Sequence, residues 1–317
     1  MTDAAVQQLA DAVRRGDRRA LARALTLIER GGAPVRSLRR ALAGYGVGSL
    51  VGITGAPGAG KSSLTTVIAQ ELRQRGMQVG IIAVDPSSPL SGGSLLGDRI
   101  RMYDLAGDSG VFIRSMANRG QYGGIAATTL DAAMLMRAAG FGMVLLETVG
   151  AGQSDVAVVD VADTVLLVEA PGMGDEVQSI KAGLLEVADV IVVSKSDRPD
   201  AAATLQQLRA LVRMQMDADD VWSVPVLPVS ALRQTGVAGL VDALINHAQW
   251  LQTHPATWRQ QRRQLLALHR ALESQLRDAV QQLPGWSNVL AQLGQSDSDV
   301  LARQLLEEFV VNGFTKE

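Results

Sequence analysis

One run of eight residues carries the clearest chemistry in this sequence: Gly55, Ala56, Pro57, Gly58, Ala59, Gly60, Lys61 and Ser62. The pattern is G-x-x-x-x-G-K-S. Its small residues let backbone N–H groups turn inward around phosphate oxygens. Lys61 delivers a compact ammonium to the same oxygens, a slot for which arginine is too long and too planar. The Ser62 hydroxyl is a hard oxygen donor of the kind Mg²⁺ accepts. Ser63 opens the next helical stretch, whose N-terminus adds partial positive charge. Such a loop needs a strand before it and a helix behind it. The apolar run 50–54 and the helical run 63–75 supply both.

Three carboxylates are placed to share a metal with Ser62. Asp85 ends the apolar run 79–84, Asp98 lies in a loop rich in Gly and Ser, and Glu147 ends the run 143–146. Mg²⁺ takes one or two protein carboxylates and fills its shell with phosphate oxygens and water. Each acid alone could equally be a turn residue or a helix cap. Their common position on the side of the phosphate loop weakens that reading and leaves Asp85, Asp98 and Glu147 as candidates beside Ser62. Glu147-Thr148-Val149-Gly150 has the form of a Walker-B strand leading into a turn that senses the γ-phosphate. Lys61, with Asp98 or Glu147 orienting water, would then form the catalytic set.

Two further elements point to the base. Ser194-Lys195-Ser196-Asp197 follows the apolar run 190–193 and resembles the N-K-x-D element that reads guanine. Asp197 would accept hydrogen bonds from guanine N1 and N2, and the stem of Lys195 would lie along the ring. Serine at 194 in place of asparagine predicts a supporting hydrogen bond that is shorter or absent. Ser230-Ala231-Leu232 resembles the S-A-[KL] element, whose backbone N–H groups meet guanine O6. Their chain order behind the phosphate loop favours guanine over adenine.

The elements that must hold these residues are legible as well. Seven short runs rich in Val, Ile and Leu (50–54, 79–84, 111–114, 143–147, 164–168, 190–193 and 224–229) alternate with helical stretches. Runs this apolar suit strands buried on both faces. Alternation with helices predicts an α/β fold with a doubly wound, mainly parallel sheet and ligands at the carboxyl ends of the strands. Val6, Leu9 and Val13, then Leu21, Leu25 and Ile28, predict helices before the first strand. After about residue 235 the strands stop. Helices are predicted over 237–251, 258–283 and 297–311, the second with Leu265, Leu268, Leu272 and Leu276 on one stripe. The expected division is a helical extension over 1–45, a nucleotide-binding domain over 46–250 and a helical arm over 251–317.

Composition narrows the function classes. The chain has 317 residues, 47% of them hydrophobic and 20% charged, enough apolar content for a sizeable core. Thirty basic residues face 32 acidic ones, and aromatics are 3%, so neither nucleic acid nor an anionic membrane is an expected partner. There is no cysteine, which excludes disulfides and thiolate chemistry. The uncharged run 41–60 holds seven glycines and a proline and is a poor membrane span. No apolar signal core opens the sequence, so a cytoplasmic location is expected. The three histidines, His247, His254 and His269, have no metal-ligand spacing and read as packing or surface residues. Only four of the 30 basic residues are lysine: Lys61, Lys181, Lys195 and Lys316. Two of them fall where nucleotide chemistry calls for lysine.

Several longer stretches resemble the MeaB/ArgK family of GTPases with a phosphate-binding loop. They are the phosphate loop itself, Val84-Asp-Pro-Ser-Ser-Pro89, Gly92-Gly-Ser-Leu-Leu-Gly-Asp-Arg-Ile-Arg-Met102, Glu147-Thr-Val-Gly-Ala-Gly-Gln-Ser154 and Gly174-Asp-Glu-Val-Gln-Ser-Ile-Lys181. The resemblance implies a chaperone of an adenosylcobalamin-dependent acyl-CoA mutase that binds GTP or GDP with Mg²⁺ held near Ser62, Asp85, Asp98 and Glu147, hydrolyses GTP slowly without its partner, and forms a homodimer through the C-terminal arm. It implies switch segments near 85–98 and 150–154, with Gly150 and Gln153 in the second. A third, at 172–181, would couple the nucleotide to the mutase through Asp175, Glu176, Gln178 and Lys181. Ala151 and Ser194 depart from the pattern. Two other readings remain: a kinase or ATPase with the same loop, and a nucleotide-bound scaffold without catalysis.

Overall fold

In the computed structural model of the chain, the described residues are 1–86, 105, 107–118, 124–148, 158, 161–172, 184–215, 222–254, 265, 268, 272, 275, 276, 279–292 and 297–313. For residues 85, 86, 117, 118, 124–127, 148, 215, 298 and 311–313 the description is of the backbone. The chain divides into two compact units, Met1–Gln260 and Gln261–Glu317.

The first unit is built on seven strands: β1 Ser49–Gly55, β2 Val79–Pro86, β3 Val111–Asn118, β4 Met143–Thr148, β5 Thr164–Glu169, β6 Val190–Val193 and β7 Val226–Pro228. Each coincides with a run expected from the sequence. They form one parallel sheet in the order β3-β2-β4-β1-β5-β6-β7. Parallel pairing requires crossovers that return over a face, so both faces are covered and every residue of β1, β5 and β6 is buried.

Successive side chains serve opposite faces, and the two cores follow that alternation. Leu50, Ile82, Val144, Leu167 and Ile191 point to one face. There they meet α1 (Asp3–Arg14), α2 (Arg18–Arg30), α3 (Ala33–Leu42), α5 (Gly124–Ala138) and α6 (Ala201–Gln215). Val51, Ile81, Leu145, Leu166 and Val192 point to the other, covered by α4 (Lys61–Gln74) and α7 (Val237–Thr253).

The N-terminal helices therefore belong to the first unit's core. Polar clamps add direction. Arg39 holds both carboxylate oxygens of Asp131 on α5, and Arg114 on β3 grips Glu29 on α2 at 2.9 and 2.7 Å. Asp17 starts α2 by accepting the N–H groups of Arg19 and Ala20.

Behind the sheet, at the amino ends of β5 and β6, His247 is buried. Its Nδ1 lies 2.8 Å from the Thr164 hydroxyl and its Nε2 3.4 Å from Asp189, with Trp222 and Trp250 against its ring. His254 stacks on Trp250. Both are packing histidines, as expected; His269 lies outside the described residues.

The second unit contains α8 (Trp286–Ala291) and α9 (Ser298–Gly313). Val289, Leu301 and Leu305 form its core, flanked by Val280, Leu283 and Trp286. Of the long helix expected over 258–283, residues 265, 268, 272, 275, 276 and 279–281 are described and helical. Leu265, Leu268, Leu272 and Leu276 are 40–55% exposed, an apolar stripe facing outward from this unit. Among the described residues, no helix is long and apolar enough to cross a membrane.

Candidate functional site

Strand order reverses at β1, which lies between β4 and β5. Connections on either side leave in opposite directions there, so a crevice opens at the carboxyl end of β1. The loop Gly55–Gly60 occupies it. Gly55 must be glycine, because a Cβ would stand 2.1 Å from the Val168 carbonyl oxygen of β5. Gly60 caps α4 in a left-handed conformation with φ +93° and, having no side chain, makes no capping hydrogen bond to the first-turn N–H groups. Those donors and the helix dipole favour an anion at this end.

Lys61 is buried, and its ammonium donates to the carbonyls of Gly55 and Ala56 at 2.6 and 3.1 Å. Two loop carbonyls thus aim the charge across the mouth of the loop. One residue on, the Ser62 hydroxyl donates to Oε1 of Glu147, whose carboxylate is 2% exposed at the end of β4. Glu147 pairs with Ile53 of β1 and Ala83 of β2, so strand register carries it to the phosphate loop. A serine hydroxyl and a buried carboxylate are hard oxygen donors brought together beside a phosphate cradle. That set fits Mg²⁺ completed by phosphate oxygens and water. Among the described residues, no cluster of three acids or histidines adds to it.

The backbone of Asp85 sits at the same edge, paired with Ala117. The Asp85 side chain, and all of Asp98, Gly150, Gln153, Asp175, Glu176, Gln178 and Lys181, lie outside the described residues.

Beside the phosphate loop is a cavity of about 300 Å³. Gly60, Ser63 and Leu64 form one wall, Ser194, Lys195 and Asp197 a second, and Ser230, Ala231 and Leu232 a third. The two base-reading elements and the phosphate loop, far apart in the chain, therefore line one space. Asp197 accepts the Ser230 hydroxyl at 2.5 Å. That bond, its own backbone N–H and the nearby Arg233 and Arg198 hold its carboxyl below the usual carboxylate range, against a smaller opposing effect of burial. An ionised carboxylate is an acceptor on both oxygens, which matches the adjacent N1–H and N2–H donors of guanine and finds no such pair on adenine. Ser230 is itself held by mutual backbone hydrogen bonds with Thr235.

Lys195 lies in the left-handed region, φ +50°, and its Nζ donates to the Gly58 carbonyl at 2.7 Å, stretching its stem along the cavity. The Ser194 hydroxyl is buried and donates to the Ala59 carbonyl at 2.5 Å; the Glu169 carbonyl, 2.9 Å away, already accepts the Ser194 N–H. Of the two outcomes expected for serine here, a bond shorter or absent, the structure has the short bond, because the loop backbone comes close enough for a short side chain. Sequence reading missed Arg198 and Leu64 as cavity walls. The signal for Arg198 was its place directly after Asp197; Leu64 reads from sequence only as a helix core position.

Comparison with known proteins gives the family. The family described as methylmalonyl-CoA mutase-associated GTPase MeaB matches residues 21–284. The chain belongs to the MeaB family. A Pyrococcus abyssi protein designated a GTPase is 44% identical over 250 residues, spanning 78% of this chain and 77% of its own. The Escherichia coli GTPase ArgK is 39% identical over 249 residues, 75% of each chain. A crystal structure titled LAO/AO transport system kinase shares the architecture with TM-score 0.68 and 27% identity over 97% of this chain and 98% of that one. This MeaB-family protein is thus a GTPase with the phosphate-loop fold, and its family is associated with methylmalonyl-CoA mutase.

Proposed function

We propose that this MeaB-family GTPase gates adenosylcobalamin loading onto a cobalamin-dependent acyl-CoA mutase, of the methylmalonyl-CoA type or a close relative, and protects or reactivates that enzyme. The observation that carries the reading is the family match over residues 21–284, joined to a base cavity in which Asp197 is fixed by Ser230. The reaction is GTP and water to GDP and phosphate. Water attacks the γ-phosphorus as the bond to the β,γ-bridging oxygen breaks, and the electron pair leaves with GDP.

The loop N–H groups and Lys61 position and neutralise the phosphate oxygens. Asp197, Lys195 and Ala231 hold guanine. Ser62 and Glu147 would hold Mg²⁺, with Asp85 and Asp98 as further oxygen donors. When bound, the ion neutralises charge on the β- and γ-phosphates. Glu147 or Asp98 orients the attacking water. Among the described residues none stands as an obvious general base, so basal turnover is slow. Partner binding then accelerates it by ordering the segments 85–98, 150–154 and 172–181, with Lys181 as the ordering contact.

The leucine stripe 265–276, half-exposed on its own unit, supports a homodimer through the arm 251–317. The proposed place of action is the cytoplasm.

The test is GTP turnover and adenosylcobalamin transfer with and without candidate mutases. Stimulation by one mutase, lost in Lys181→Arg while GTP binding stays nearly intact, is the expected result. Turnover as fast alone as with every mutase would overturn it. The structural relative is described as a kinase, which is the competing ATP-dependent reading. ATP binding as tightly as GTP would support that alternative, and Asp197 argues against it.

A further inference from the structure

The N-terminal helices contain a feature the nucleotide site does not use. Between α1 and α2 lies a groove of about 710 Å³. Leu9 of α1 and Ala22 and Leu27 of α2 give it an apolar lining. Arg23 and Arg30 stand on the α2 side, both exposed. They are seven residues apart, two helical turns, so their Cα atoms lie roughly 10 Å apart along one face. Arg114 closes one end, but its charge is engaged by Glu29. Arg23 and Arg30 have no ion pair among the described residues.

The surrounding charge is unusual for this chain. Residues 1–45 hold nine arginines against four acidic residues, a net +5, whereas the whole protein carries −2. An apolar concavity between two helices takes the convex apolar face of a third helix. A flat lipid surface would not fill it. Two cations spaced by two turns match carboxylates spaced by two turns on such a helix.

We infer that the α1–α2 groove docks an acidic amphipathic helix of a partner protein, with carboxylates seven residues apart meeting Arg23 and Arg30. The helix would be about as long as α2, four turns, and would lay its apolar stripe on Leu9 and Leu27. This docking is separate from nucleotide binding and does not rest on the mutase reading.

The test uses the full-length protein and three labelled synthetic helices of about 15 residues. They share one Leu/Ala stripe and differ only in a flank of Glu, Gln or Lys. Fluorescence anisotropy should show the Glu peptide binding tightest, more weakly as salt rises. Arg23→Glu/Arg30→Glu should weaken the Glu peptide by at least about tenfold and strengthen the Lys peptide, a reversal that misfolding cannot produce. Hydrogen exchange should show Glu-peptide protection in α1 and α2.

Equal binding of all three peptides, no binding, unchanged affinity in the double variant, or protection confined elsewhere would each overturn the inference. So would groove protection that rises with protein concentration alone, which would mark a second copy as the occupant. Binding of phosphatidylglycerol vesicles that is lost in Arg23→Gln/Arg30→Gln, with no Glu-peptide binding, would assign the groove to a membrane instead.

Discussion

The hydroxyl of Ser194 lies 2.5 Å from the carbonyl oxygen of Ala59, 135 residues earlier in the chain. With the Lys195–Gly58 bond, it ties the candidate base-reading loop to the phosphate-binding loop. The distance between the candidate guanine and phosphate sites is therefore set by protein, not left to the nucleotide. Binding GTP then costs less ordering of the two loops.

Ser194→Ala should remove its part of that tie and leave the Ala59 carbonyl without its side-chain donor. Losing a hydrogen bond of this kind costs about 1 kcal/mol, or roughly fivefold in nucleotide affinity. Calorimetric titration with GDP and GTP measures it. Ser194→Asn should bind at least as well as Ser194→Ala, since the amide also donates.

Asp197→Asn exchanges an acceptor pair for one acceptor and one donor group. Guanine loses a hydrogen bond to a charged acceptor, worth about 1.5–3 kcal/mol, so GTP affinity should fall at least about tenfold. Xanthine carries a carbonyl where guanine carries its 2-amino group, and the new amide can donate to it. Competition between GTP and XTP should shift towards XTP. An unchanged preference would place guanine reading elsewhere.

The depressed carboxyl of Asp197 fixes the sign of a pH effect. Its folded-state value lies below its unfolded one, so its ionised form is favoured above the ordinary carboxylate range and lost only as pH falls through the lowered value. GTP affinity should stay level from about pH 8 to about pH 5 as far as this group is concerned. Ser230→Ala removes the main cause of the shift. The acid limb of the affinity profile should then move to higher pH.

Glu147→Gln keeps the shape and the contact with Ser62 but removes a buried negative charge. Mg²⁺ should then bind more weakly, and the concentration giving half-maximal GTP turnover should rise by at least about tenfold. Ser62→Ala should act in the same direction. A turnover whose Mg²⁺ dependence is unmoved in both variants would remove them from the metal site.

Arg39→Ala should destabilise the first unit, because it removes the grip on both carboxylate oxygens of Asp131 that ties α3 to α5. The Arg39 side chain is 41% exposed, so the loss should be about 1 kcal/mol. Chemical denaturation measures the loss, and Arg39→Ala/Asp131→Ala should recover part of it.

Each of these sites was legible in the sequence to a different degree. The loop 55–62 could be read outright, since its function depends on local backbone conformation and on residues adjacent in the chain. The seven strands could be read too, because a sheet covered on both faces demands continuous apolar runs. Asp197 and Ser230 could be named but not joined, for nothing in sequence spacing states that their side chains meet. Serine at 194 could be read as a bond shorter or absent, but which of the two, and Ala59 as its acceptor, could not be read from spacing.

The residue types and the order of strands and loops, then, were determined by sequence, because hydrogen-bonding capacity and hydrophobic periodicity are local properties. The Ser62–Glu147 pair, the Ser194–Ala59 tie and the shared wall of Ser230 and Asp197 were decided by the tertiary structure. Parallel strands aligned by buried side chains bring their carboxyl ends to one edge, and only that register turns separate loops into one site.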